Sequence, residues 1–276
     1  MGLDFERVAK PLTRFIDEDL GTGDLTAPLL GERTATGSFL AKTAGILSGS
    51  QIPDFLYRLL GHHVTYTPLI ADGEKLEEGT IIARVEGSMA DILAAERLSL
   101  NLMQRMSGIA TATAQAVATL ADPSINLLDT RKTAPGLRVF DKYAVRCGGG
   151  INHRFGLYDL AMLKDNHWAA FGDLGTAITQ LRRAIGPTKM IEVEVETHAE
   201  LLAAIAAQAD IIMFDNQTPQ TVRAWQALVP DTIQTEVSGG ITLANLHAYA
   251  GSGVTSLSLG YLTNSVTNLD ISFNLD

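Results

Sequence analysis

Residues 191–260 read IEVEVETHAELLAAIAAQADIIMFDNQTPQTVRAWQALVPDTIQTEVSGGITLANLHAYAGSGVTSLSLG. Four short strand-like runs, IEVEVE, DIIMFDN, TIQTEVSGG and VTSLSLG, are interleaved with helical ones such as AELLAAIAAQ and TPQTVRAWQALV. From Glu194 to Asp215 is 21 residues, from Asp215 to Ser238 is 23, and from Ser238 to Gly260 is 22. One strand, one helix and two short loops fill such a step, the unit of a parallel βα array. INLLDT (125–130) and DLAMLKD (159–165) extend the array backwards. In each unit a polar residue or glycine follows the apolar run, at the strand's C-terminal end. Asp129, Lys164, Glu194, Asp215, Ser238 and Gly260 are therefore expected to converge on one rim, where α/β barrels and open α/β sheets carry their sites. Six visible strands do not fill a complete eight-unit barrel.

Upstream the rhythm changes. A helical segment, FERVAKPLTRFIDEDL (5–20), precedes short strand-like runs TGSFLA, GILSG, HHVTYTPL and TIIARVEG, separated by turn signals such as DGEKLEEG. These predict a small α+β domain with an antiparallel sheet. Residues 89–120 predict a long helix, with Ser107-Gly108 as a break or kink. The final run, LDISFNLD, has no helix after it and is expected to return to the N-terminal domain.

The chain carries net charge −10, yet residues 131–164 hold Arg131, Lys132, Arg138, Lys142, Arg146, Arg154 and Lys164 against only Asp141 and Asp159, a net of +5. A solvated basic helix face is one explanation. Beside glycine-rich turns in an acidic chain, the cluster also suggests an anion site. Opposite it stand Glu194 and Asp215; in IEVEVE, carboxylates alternate with apolar residues, and a buried strand face rarely keeps unpaired charge unless it lines a site. Hard carboxylate oxygens suit Mg²⁺ or sugar hydroxyls, while Arg and Lys suit carboxylates and phosphates. Two loops, SGG (238–240) and GYLTNS (260–265), follow the last two strands where barrels bind phosphate. GGG (148–150) is a weaker signal of the same kind.

Other classes are excluded or weakened. The acidic balance argues against nucleic-acid binding. The opening MGLDFERVAK has no apolar core of a signal peptide, Glu6 stands where a myristoylation signal needs Ser or Thr, and no uninterrupted apolar stretch spans a bilayer. A lone Cys147 rules out an intrachain disulfide, fits a reducing cytosol and reads as packing. The expectation is a cytoplasmic protein. Isolated histidines, His62, His63, His153, His167, His198 and His247, are more often core or surface residues than catalysts. No CxxC, HExxH, GxSxG or Walker-type loop occurs.

Several stretches together resemble one family. EDLGTGDLT, AERLSLNLMQRMSGIAT, the 41-residue block LLDTRKTAPGLRVFDKYAVRCGGGINHRFGLYDLAMLKDNH, IEVEVET, DIIMFDN, EVSGGI and LGYLTNS follow the order of the quinolinate phosphoribosyltransferases, over nearly the whole chain. The resemblance implies an N-terminal α+β open sandwich domain (1–108, packed with the tail 267–276) and a C-terminal incomplete α/β barrel (109–266). It implies transfer of phosphoribose from phosphoribosyl pyrophosphate to quinolinate, with Mg²⁺ and loss of CO₂. It also implies a homodimer in which Arg97 crosses into the partner's site. Carried over, Arg97, Arg131, His153, Arg154 and Lys164 meet the quinolinate carboxylates, and Lys132, beside Thr130 in DTRKT, faces the pyrophosphate. Glu194 and Asp215 hold the ribose hydroxyls and the metal, and Ser238, Gly239, Gly240 and Gly260 the 5′-phosphate. Lys132, Lys164, Glu194 and Asp215 would be catalytic. Asn264 in LTNS departs from the family's usual histidine; an amide still donates to phosphate but carries no positive charge.

Three alternatives stay open at this point. One is the pyrophosphorylase-like protein associated with molybdate transport, of uncertain substrate. Another is a Schiff-base aldolase using Lys164. The third is a non-catalytic nucleotide-binding protein that keeps only the fold.

Overall fold

The computed structural model of the chain describes residues 2–61, 63–164 and 169–276; His62 and His167 lie outside them. The first stretch contains α1 (Phe5–Leu20), α2 (Ala27–Leu30), β1 (Thr34–Ala41), β2 (Gly45–Ile46) and α3 (Ile52–Leu60). Strands β3 (Val64–Pro68), β4 (Lys75–Leu76) and β5 (Ile81–Ser88) lead into α4 (Met89–Leu120). Then come β6 (Asn126–Leu128), α5 (Arg138–Cys147), β7 (Ala161–Leu163), α6 (Leu174–Ile185), β8 (Ile191–Val195) and α7 (His198–Ala206). The chain closes with β9 (Ile211–Asp215), α8 (Pro219–Gln226), β10 (Gln234–Ser238), α9 (Leu243–Leu246), β11 (Ser256–Ser258), α10 (Tyr261–Asn264) and β12 (Ile271–Leu275).

Two units emerge. The first takes residues up to Ala114, Thr133–Gly149 and Ser265–Asp276; the second takes Gln115–Lys132 and Gly150–Asn264. In the first, an antiparallel sheet has the order β12-β1-β5-β3. Alternation along β1 buries Phe39 and Ala41, and Phe39 meets Phe273 of β12 with ring centroids 5 Å apart to the nearest ångström (4.9 Å). The final run thus returns to the N-terminal sheet, as its lack of a following helix suggests.

Helix α4 runs unbroken through Ser107-Gly108. The expected break is absent, and both residues instead serve close contacts within the unit. A Cβ on Gly108 would collide with the Thr267 carbonyl oxygen, so glycine lets that segment approach the helix. The Ser107 hydroxyl accepts from Ser48 N–H (3.0 Å) and donates to the Ser48 carbonyl (3.2 Å). Helix α5 corrects a second expectation. Arg138, Lys142 and Arg146 belong to this helix of the first unit, where Lys142 is fully buried and Asp141 takes a bidentate grip from Arg105 at 2.8 and 2.9 Å. Three of the seven clustered cations therefore sit on a helix of the first unit and do not line the strand-end cavity.

The second unit is a parallel six-stranded sheet, β6-β11-β10-β9-β8-β7, an incomplete α/β barrel with β6 and β7 at its edges. Side-chain caps start four of the helices that follow these strands. Asp173 accepts from Thr176 N–H at α6, and Thr197 forms a capping box with Glu200 at α7. Thr218 accepts from Thr221 N–H at α8, and Thr242 pairs with Asn245 at α9. Each cap satisfies backbone donors that the first turn leaves open, which fixes where strand gives way to helix.

Candidate active site

A cavity of about 580 Å³ opens at the C-terminal ends of these strands. Its lining follows a period of two. Lys164, Glu194, Asp215 and Ser238 form an outer layer, and two residues earlier on three of those strands Met162, Met213 and Glu236 form a deeper one, joined by Ser258. Side chains spaced by two share a sheet face, so β9, β10 and the end of β7 each contribute one residue to each layer. Thr130, Arg131, Lys132, His153, Arg154, Asn216, Gly239 and Gly240 complete the wall.

One side is acidic. Carboxylate oxygens of Glu194, Glu196 and Asp215 lie within 4.8 Å of one another. Burial raises the Asp215 carboxyl above its ordinary range, and the Glu194 charge raises it further, against the pull of Lys164 and Lys132. Lys164 donates to Glu194 at 2.5 Å, and Asn216 Nδ2 donates to Asp215 at 2.6 Å. Hard, crowded oxygens of this kind suit a divalent cation such as Mg²⁺. Gly239 (φ 82°) and Gly240 (φ 63°) both occupy the left-handed region. A Cβ on Gly239 would also strike Asn216 Oδ1, so the SGG loop is shaped by glycine and leaves backbone facing the cavity.

The other side is cationic. Arg131, Lys132, Arg154 and Lys164 face it. Gly260 and Asn264 are not among the lining residues. A Cβ on Gly260 would stand 3.1 Å from Lys132 Cδ and 3.6 Å from both Lys132 Nζ and Asn264 Nδ2, so Gly260 leaves a channel for the lysine stem. Thr263 in the same turn donates to the Lys132 carbonyl at 2.9 Å. Arg97, in the first unit, is exposed and makes no ion pair among the described residues.

Asp129 departs from the rim expectation. It is fully buried and accepts from His153 N–H (2.9 Å) and Asn152 Nδ2 (2.6 Å), anchoring the loop that carries Arg154. His153 lines the cavity, but its ring nitrogens turn to protein. Nδ1 accepts from Arg154 N–H at 2.6 Å, and Nε2 lies 3.3 Å from an oxygen of Glu192 and 3.3 Å from one of Glu236. Burial lowers the His153 proton affinity and the two carboxylates raise it by more, a pull that acts at Nε2, while Nδ1 keeps its lone pair for the Arg154 N–H. Since Nδ1 accepts, the ring's own hydrogen sits on Nε2. Burial pushes the Glu192 carboxyl above its ordinary range, against the pull of His153. Glu192, Glu196, Glu236 and Asn216 were not singled out from the sequence. The signal was there: each stands two residues before, two after or immediately beside a chosen strand-end position.

The strand-end cavity, with four cations facing a carboxylate cluster and a glycine loop, defines an α/β-barrel protein built to receive a polyanionic ligand. The profile of the quinolinate phosphoribosyl transferase C-terminal domain matches residues 109–274, and that of the N-terminal domain matches residues 24–107. The chain belongs to the quinolinate phosphoribosyl transferase family. It is 50% identical over 270 residues to the probable nicotinate-nucleotide pyrophosphorylase (carboxylating) of Bacillus subtilis, covering 98% of this chain and 93% of that protein. It is 38% identical over 283 residues to the nicotinate-nucleotide pyrophosphorylase (carboxylating) of Mycobacterium leprae, covering 99% and 98%. The crystal structure of NadC from Streptococcus pyogenes superposes with a TM-score of 0.96 at 38% identity, covering 100% of this chain and 99% of that one. No helix among the described residues is long and apolar enough to cross a membrane.

Proposed function

We propose that this chain is a quinolinate phosphoribosyltransferase: quinolinate and phosphoribosyl pyrophosphate become nicotinate mononucleotide, pyrophosphate and CO₂ in the cytoplasm. The observation that carries the reading is the single cavity in which Arg131, Lys132, Arg154 and Lys164 face Glu194, Asp215 and the SGG loop. A dicarboxylate suits the first set; a ribose with its phosphates suits the second. Arg131, Arg154 and Lys164 grip the quinolinate carboxylates and aim the ring nitrogen at the anomeric carbon. Glu194 and Asp215 accept from the ribose hydroxyls, and Ser238, Gly239 and Gly240 offer donors to the 5′-phosphate. Lys132, steered past Gly260, meets the pyrophosphate as its bond to the ribose lengthens, with Asn264 beside it as a neutral donor. Positive charge grows on the ribose as the pyridine nitrogen attacks. The pyridinium so formed then stabilises the electron pair that CO₂ leaves at the neighbouring carbon, and a proton replaces the carboxylate. Orientation and fixed charge, not a covalent nucleophile, supply the acceleration.

Glu194 and Asp215, with Glu196 beside them, would hold Mg²⁺, which when bound offsets the charge of the departing pyrophosphate. Removing Mg²⁺ with a chelator should abolish turnover and its return restore it. Calorimetric titration of Mg²⁺ in the presence of phosphoribosyl pyrophosphate should show weaker binding to Asp215→Asn; equal binding would exclude Asp215 as a ligand. The aldolase alternative is disfavoured because Lys164 is salt-bridged to Glu194 in a polar cleft, not desolvated as a Schiff-base lysine needs.

Gly260→Ala should fold like the parent, since the atom its Cβ meets belongs to a flexible side chain. It should lose about tenfold in kcat, roughly 1.4 kcal/mol of barrier, by deflecting Lys132. Parent-like kcat beside a parent-like melt would show that the path of the lysine stem is unimportant. The direct test of the whole reading mixes purified protein with quinolinate, phosphoribosyl pyrophosphate and Mg²⁺ and measures nicotinate mononucleotide and CO₂ in equal amounts. No product would refute it.

A further inference from the structure

Nothing in the reaction just described uses two fully enclosed carboxylates, Glu192 and Glu236, which are 0% and 3% exposed. We propose that they are positioning residues for the dicarboxylate half of the site: they hold the His153 ring, and His153 seats Arg154, acting through that arginine and not as a ligand of the substrate. The proposal rests on the functional reading of the cavity for its kinetic consequences, but not for the structural link itself.

The geometry runs in one direction from floor to rim. Glu192 on β8 and Glu236 on β10 flank β9, each two residues deeper than a rim position. Neither Glu192 oxygen has a hydrogen bond that meets ordinary geometry; the His153 Nε2, at 3.3 Å, is its ion-pair neighbour. Glu236 takes the same nitrogen at 3.3 Å and is itself fixed by a hydrogen bond from Ser258 at 2.5 Å. Burying two carboxylates is costly, so their retention needs a use. On the far side of the ring, Nδ1 receives the Arg154 amide at 2.6 Å. The Arg154 guanidinium is held separately by the Leu160 carbonyl at 2.9 Å and Met162 Sδ at 3.3 Å. Arg154 is thus fixed at both ends, and the ring offers the cavity no nitrogen with which to grip a carboxylate.

His153, Glu192 and Glu236 also have the spacing of a metal site. The accepting Nδ1 decides against it: with the ring hydrogen on Nε2, that nitrogen presents a donor and no lone pair. A purely space-filling role fits poorly too. His153, Arg154 and Glu236 line both the main cavity and a second one of about 180 Å³ among the same strands, so the trio forms a polar wall where apolar residues would seal better. Truncating His153 would join the two cavities, so the glutamates are the informative positions.

Glu192→Gln and Glu236→Gln keep the volume and remove the charge. In ¹⁵N-labelled protein without any substrate, the Arg154 amide should resonate far downfield in the parent and move upfield in both variants. An Arg154 amide unmoved in both would overturn the link, whatever the enzyme's activity. With substrates, KM for quinolinate should rise about tenfold in each variant while KM for phosphoribosyl pyrophosphate changes less than about twofold. Adding Glu236→Gln to Arg154→Lys should change quinolinate binding less than about twofold, because both act through one guanidinium. Additive losses, or equal rises in both KM values, would reduce the pair to general scaffolding. A parent protein with the downfield amide but no turnover would instead refute the substrate assignment and leave the link standing.

Discussion

Arg97→Ala and Lys164→Ala, each inactive alone, should recover about a quarter of the parent activity when refolded together in equal amounts. Random pairing in a closed twofold dimer makes half of the dimers mixed, and in each of those one of two sites carries both native residues. The expectation comes from the family resemblance, which implies a homodimer in which Arg97 crosses into the partner's site. Arg97 is exposed on α4, outside the cavity lining, and has no ion pair among the described residues. An exposed arginine that merely solvates a helix would make Arg97→Ala nearly silent, since exposed charges contribute about 0–1 kcal/mol. Inactivity of Arg97→Ala followed by rescue in the mixture would make the homodimer the catalytic unit. No recovery despite demonstrated subunit exchange would assign Arg97 to its own chain's site or to none.

Nicotinate should be a poor substitute for quinolinate, with kcat/KM lower by at least about thirtyfold. Arg131, Arg154 and Lys164 are the cations available for two carboxylates, and a monocarboxylate leaves one of them desolvated and unmatched, a loss of about 2–5 kcal/mol. His153 adds nothing to this discrimination directly, because its nitrogens are turned to Arg154, Glu192 and Glu236. Competition assays with both pyridine acids, following CO₂ and mononucleotide separately, measure it. Comparable turnover of nicotinate without CO₂ would sink the assignment of the cationic wall.

The barrel was legible because its two signals are redundant. Strand alternation marks the inward face, and the near-constant step between Glu194, Asp215, Ser238 and Gly260 marks the rim. What escaped was direction. Arg138, Lys142 and Arg146 are close to Arg131 and Arg154 in the text, yet their spacing of four is that of one helix face, and α5 carries them into the first unit. Ser107-Gly108 looks like a helix breaker, but glycine there admits a neighbouring backbone and the helix goes on. Asp129 ends its strand like the other rim residues, but its carboxylate is consumed by the loop it anchors. Glu192 and Glu236 lay in full view, one pleat below chosen positions.

The pairing of β12 with β1 has a consequence for synthesis. Ala41 pairs with Ile271, so during translation the outer side of β1 waits for some 230 residues to be made. At roughly 5–20 residues per second that is about 10–50 s in which TATGSFLA is an open edge, its unpaired amides available to any passing strand. Strand β12 therefore acts as a late-arriving guard strand. Ribosome-bound chains stopped before Ile271 should self-associate or recruit chaperones, and supplying the missing strand as a peptide should suppress it.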